Sequence, residues 1–148
     1  MAGKRISVEE VREIAFALAR ERLAFNEPIP DFSTRFPNAL ESCLEQPFQK
    51  AFGKTLYPSL TSKAAILFYL MIKNHPFQNG NKRLAITTTL LFINGYNKWM
   101  QSDLKELYNL TQWVAGSNPL HKDFVLSAVE RFFKKHIIPF PEERAAGK

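Results

Sequence analysis

His75-Pro76-Phe77-Gln78-Asn79-Gly80-Asn81-Lys82-Arg83 lies between two apolar runs, Ala64 to Ile72 before it and Leu84 to Ile93 after it. That arrangement predicts two packed helices holding a short polar loop between them. A polar, glycine-bearing loop on rigid supports is where chemistry tends to sit. Histidine is the residue type whose charge changes near neutrality, which makes His75 the candidate base of the stretch. Asn81-Lys82-Arg83 opens the second helix, so free backbone N–H groups and the positive end of the helix dipole face the loop. Gly80 lets the backbone turn tightly and come close to a ligand. Lys82 adds a point charge and Arg83 a planar fork that suits phosphate oxygens. Together these make an anion site beside a base, a pairing that suits a nucleoside triphosphate and a hydroxyl nucleophile.

Taken singly, each residue has a plainer use. His75 can end the preceding helix, Asn-Gly can be an ordinary turn, and Lys82 and Arg83 can be solvated charges. The joint spacing carries the functional reading.

Working outward, the pattern is helical throughout, and the chain reads as all-α. Ser7-Val8-Glu9-Glu10 is a capping box that opens a first helix, with Val8, Val11, Ile14, Ala15 and Leu18 on one face. Pro28 and Pro30 stop any continuation. Pro37 suits the first turn of a second helix carrying Leu40, Cys43 and Leu44. Residues 46–60, with Pro47, Gly53 and Pro58, read as irregular. Helices follow over about 62–73 and 81–94, with Gly95 as the C-cap, then over 103–115, capped by Ser102, and over 121–136. Pro139 and Pro141 introduce a charged tail, expected to be mobile from 138 to 148.

The chain has 148 residues, 45% of them hydrophobic, which is enough for one domain with a proper core spanning about 7–137. Thirteen Phe make that core aromatic-rich. Cys43 is the one cysteine, so no intramolecular disulfide forms, in keeping with a reducing cytoplasm. No signal-peptide core follows Met1, and the best apolar run falls short of a membrane span. The net charge of +6 and a pI near 9.6 raise the question of a nucleic-acid partner. The basic residues are spread along the chain, however, with no helix-turn-helix signature and no interleaving of aromatic with basic residues. Nucleic acid is therefore not the expected partner.

The stretch from His75 to Arg83 resembles the signature of the Fic/Doc family: His-x-Phe, an acidic or amide residue, a small residue, then Asn-Lys-Arg. It is closer to the Doc (death-on-curing) branch than to the Fic adenylyltransferases. Those typically read Gly-Asn-Gly-Arg with another arginine three residues on, whereas here Lys82 stands at the second glycine and Ile86 at the second arginine. The similarity runs from about Phe36 to Gly95. It implies a single Fic/Doc-type helical domain of about six helices, with the motif loop between two central ones. It also implies a toxin of a toxin–antitoxin pair that transfers the γ-phosphate of ATP to a Ser or Thr hydroxyl of a translation elongation factor.

On that resemblance His75 is the general base. Phe77, Gly80, Asn81, Lys82 and Arg83 form the nucleotide-binding set, with Lys82 and Arg83 also catalytic and Phe77 also pinning the loop into the core. Asn79 faces Mg²⁺, although an amide brings a hard cation no charge. A flap that docks the target peptide as an added strand falls near Gln46 to Tyr57. Some Fic proteins carry an inhibitory helix marked by Ser or Thr, three residues, Glu, then Gly or Asn. Ser102 to Glu106 comes nearest but is followed by Leu107, so an antitoxin on a separate chain is the expected inhibitor. Two other functions stay open: an adenylyl- or nucleotidyltransferase, and a catalytically weak nucleotide-binding interaction protein, for which Asn79 argues.

Overall fold

The computed structural model describes residues 5–23 and 29–141. Six helical rods account for most of it. The first is composite: α1 (Val8–Glu10), a π-helical turn (Val11–Ala15) and α2 (Phe16–Arg22) run on without a break. Its capping box forms as the sequence predicts: Ser7 Oγ accepts the Glu10 N–H at 3.1 Å, and the Glu10 carboxylate accepts the Ser7 N–H at 2.9 Å. The π turn changes which side chains face inward. Val11, Ala15, Phe16 and Ala19 are buried, while Ile14, expected on the same face, is about half exposed. A π turn spends an extra residue on each hydrogen-bonded ring, and this rotates Ile14 away from the core.

Helix α3 (Ala39–Glu45) starts two residues after Pro37, because Asn38 takes a left-handed conformation with φ 68°. It buries Leu40, Cys43 and Leu44 as expected. Burial pushes the Cys43 thiol up to about 12, so the residue behaves as a small apolar group rather than a nucleophile. The segment read as irregular contains a tight hairpin, β1 (Lys50–Ala51) and β2 (Lys54–Thr55), turning at Phe52 and Gly53 with φ 53° and 76°. Two successive positive φ values mark a turn whose twist matches that of paired strands.

The centre of the molecule is α4 (Leu60–Lys73) packed on α5 (Asn81–Asn94). Ser59 and Ser62 cap α4 reciprocally. All nine residues from Ala64 to Ile72 are buried, so α4 is enclosed on every side, and α5 is buried from Arg83 to Leu90. Such all-round burial needs outer elements, which α3, α6 (Leu104–Gly116) and α7 (Lys122–His136) supply. The cap of α6 is Asp103, whose carboxylate accepts the Glu106 N–H at 2.7 Å. Ser102 instead bonds the Glu106 carboxylate at 2.9 Å. Gly95 is the C-cap of α5 but stays right-handed, and the left-handed turn falls at Asn97 with φ 62°. This turn leads into β3 (Lys98–Met100), which pairs antiparallel with β4 (Ile137–Pro139). Residues 137–139, where the tail was expected to begin, are thus held against the body, while 142–148 lie outside the described residues. No described helix is long and apolar enough to cross a membrane.

Thr88 and Thr89 of α5 are fully buried, and their hydroxyls have no hydrogen-bond partner. An unpaired buried hydroxyl costs about 1–3 kcal/mol of desolvation. Thr88→Val and Thr89→Val, which keep the shape, are each expected to raise unfolding stability by about 1 kcal/mol. Urea denaturation measures this, and a fall in the midpoint would show that the hydroxyls are paired in solution.

Candidate active site

Helix α4 ends at Lys73, whose ammonium donates to the Ser117 carbonyl at 2.6 Å and so ties the end of α4 to that of α6. The chain then reverses. His75 sits at φ 46°, a left-handed position that favours glycine or asparagine. The loop is anchored just after this strained residue. Phe36 N–H donates to the Pro76 carbonyl at 2.9 Å. The fully buried Phe77 ring meets Phe16 edge to face at 5.1 Å and lies 6.1 Å from Phe32.

Gly80 ends the loop at φ 73°, and a Cβ there would stand 2.8 Å from Pro30 Cδ. Both the conformation and the space therefore require glycine. Helix α5 begins at the next residue. Its first capping-type backbone bond runs from Leu84 N–H to the Gly80 carbonyl, so the N–H groups of Asn81, Lys82 and Arg83 have no intrahelical acceptor.

Asn81 has a use that sequence reasoning missed. Its Oδ1 accepts the Phe77 N–H at 3.0 Å and its Nδ2 donates to the Phe77 carbonyl at 2.8 Å. The side chain thereby staples the loop shut. What it still offers an anion is its backbone N–H. Arg83 is also largely buried, with Nη1 donating to the Leu23 carbonyl at 3.3 Å, and Lys82 is half-buried.

These residues line one cavity of about 250 Å³. Its wall consists of His75, the loop from Gln78 to Arg83, and Ile72, Tyr108 and Ala115. The fold thus brings His75, Asn79, Gly80, Asn81, Lys82 and Arg83 together, and leaves Phe77 beneath them as the anchor. Tyr108, half-buried on α6, is a lining residue that sequence reading overlooked. Nothing local marks it, because α6 reaches the site only through tertiary packing. Tyr96 packs on Phe92 and Trp99 on Phe140, and neither lines this cavity.

Among the described residues no carboxylate lines the cavity, while Lys82 and Arg83 do, an arrangement that suits an anion. Among the described lining residues the side-chain oxygens are neutral, those of Gln78, Asn79, Asn81 and Tyr108, whereas Mg²⁺ prefers carboxylates. A second cavity, of about 160 Å³, is walled by Leu18, Leu90, Trp99, Met100, Leu104 and Leu107 among others. It contains no base among its lining residues.

The family model described as Fic/DOC matches residues 5–93, more than half of the chain. The chain belongs to the Fic/DOC family. In Fic/DOC terms the matched region ends within α5, so it takes in the whole motif loop but not Tyr108. The chain is also similar to Toxin Doc of Mycolicibacterium smegmatis (strain ATCC 700084 / mc(2)155), at 33% identity over 78 residues. That match covers 51% of this chain and 60% of the relative, so the chain spans less than two thirds of the relative's length. No solved structure matches it.

Proposed function

We propose that this protein is a Doc-like toxin that moves the γ-phosphate of ATP to a Ser or Thr hydroxyl of a translation elongation factor in the cytoplasm, restrained by an antitoxin on another chain. One observation carries this reading: a histidine and the cationic N-terminus of α5 line a single cavity. His75 takes the proton of the hydroxyl. Lys82, Arg83 and the first N–H groups of α5 hold the phosphates, where fixed donors stabilise charge without reorganising. Lys82 fills space that a glycine would leave beside the backbone. Ile86 is buried, so no second cation stands one turn further on. Both features favour delivery of a phosphoryl group over a nucleotide. The hairpin of β1 and β2, with Phe52 fully exposed at its tip, has open edges where a target segment can add as a strand.

Intact-mass analysis of an elongation factor incubated with the protein, ATP and Mg²⁺ tests this. A phosphate-sized gain is expected. An AMP-sized gain would replace the kinase by a nucleotidyltransferase.

Asn79 favours a slow enzyme, because the cavity relies on the nucleotide to bring its own metal. Asn79→Asp supplies a carboxylate at this position and is expected to lower the half-saturating Mg²⁺ concentration for transfer about tenfold. An unchanged Mg²⁺ dependence would place residue 79 away from the phosphates.

A further inference from the structure

We propose that His75 and Asn81 form a two-point seat for the target hydroxyl, in which Asn81 holds His75 as its Nε2–H tautomer and Nδ1 receives the proton. This rests on the reading of His75 as the base and names the atoms of that site that meet the substrate.

The orientation of the Asn81 amide decides the matter. Oδ1 accepts the Phe77 N–H and Nδ2 donates to the Phe77 carbonyl, at 3.0 and 2.8 Å. Turned over, the amide would set NH₂ against N–H and oxygen against oxygen, losing both bonds in a buried place. The loop backbone, not the histidine, therefore fixes which end is which. His75 Nδ1 lies 3.5 Å from Nδ2, the donor end, whose first hydrogen already serves Phe77. An amide nitrogen donates and does not accept. The approach is favourable only when Nδ1 carries a lone pair, and in the neutral ring that leaves the hydrogen on Nε2.

At 3.5 Å the pair sits at the outer limit of a direct hydrogen bond, close enough to favour the lone pair on Nδ1 and loose enough to admit an oxygen. An oxygen about 2.8 Å from each nitrogen completes a triangle on this base and makes two bonds of ordinary length. A hydroxyl in that place donates to Nδ1 and accepts from Nδ2–H. Both residues line the cavity; the ring is exposed, while the stapled amide is rigid.

In the transfer step the hydroxyl oxygen bonds to the γ-phosphorus and its proton passes to Nδ1. The bond from phosphorus to the bridging oxygen breaks, and its electron pair leaves with ADP. The imidazolium, with hydrogen on both nitrogens, then returns one proton to solvent. A loop staple alone would call for no particular tautomer of His75.

Nitrogen NMR of the full chain with labelled histidine, without nucleotide or target and at a pH where the ring is neutral, tests the seat. The expected spectrum has Nδ1 bare and Nε2 protonated, with the Nε2–H form exceeding the majority that a free imidazole already shows. Asn81→Ala should return the ratio to that of a free imidazole. Asn81→Asp, which turns an oxygen toward Nδ1, should raise the Nδ1–H form. Because either variant can loosen the loop, the wild-type spectrum decides by itself. Nδ1–H in the wild type, or the ratio of a free imidazole, overturns the proposal. An Nε2–H ring in a protein that transfers nothing to any hydroxyl overturns instead the assignment of His75 as base.

Discussion

His75→Ala is expected to reduce transfer to the target about a thousandfold while leaving nucleotide affinity within a few-fold of the wild type. The size follows from what a positioned base contributes, and the selectivity from the geometry. The groups offered to the phosphates lie on α5, from the Gly80 turn through Lys82 and Arg83, and none is held in place by the imidazole. Stability should hardly change, because His75 is exposed. His75→Gly separates chemistry from backbone strain. At φ 46° a side chain costs about 1 kcal/mol that glycine does not incur, so this variant should be inactive yet more stable than His75→Ala by about that amount. Transfer kinetics, nucleotide titration and urea denaturation of the two variants give three separate readouts. A His75→Ala protein that keeps transferring at even a tenth of the wild-type rate would remove His75 from the chemistry.

The extent to which this site could be read from the chain depends on how local each feature is. The capping box at Ser7 and the two apolar runs are short-range signals, and the helices they predict form close to the expected bounds. The motif loop was legible as well, since its residues are neighbours in sequence. Other features are set by tertiary contact and leave no local mark. Tyr108 joins the cavity only because α6 packs on α4 and α5. Ile137–Pro139 follows helix α7 and contains the first of two prolines that suggest a tail, yet Trp99 and Ile138 face each other in a strand pair. The hairpin has strands of two residues and a Phe-Gly turn, too brief for alternation to show. Asn81 illustrates a different limit. Its residue type fits phosphate binding and loop stapling equally well, and only the position of the Phe77 backbone shows where the amide is spent.

Phe77→Ala is expected to cost about 3–5 kcal/mol, the usual penalty for emptying a fully buried aromatic site. For a chain of this size that corresponds to a fall in melting temperature of roughly 10 °C. The ring sits where three parts of the chain meet, with Phe16 from α2 at 5.1 Å and Phe32 from the turn before α3 at 6.1 Å. Neither neighbour can close the gap without pulling its own segment inward, so the void persists and the penalty lies at the high end. The loss reaches the site as well. Phe77 N–H and carbonyl are the partners that hold the Asn81 amide, and a wandering loop would release Asn81 from its bonds and His75 from its left-handed turn. Phe77→Leu separates the two effects. It keeps most of the apolar volume and should cost less than half as much stability, yet its different shape leaves the loop less well fixed. Transfer should therefore fall in Phe77→Leu by more than its stability loss explains, at a temperature where the variant is fully folded. A Phe77→Ala protein that melts within a degree or two of the wild type would mean that the ring does not fill the space between Phe16 and Phe32, and the loop would need another anchor.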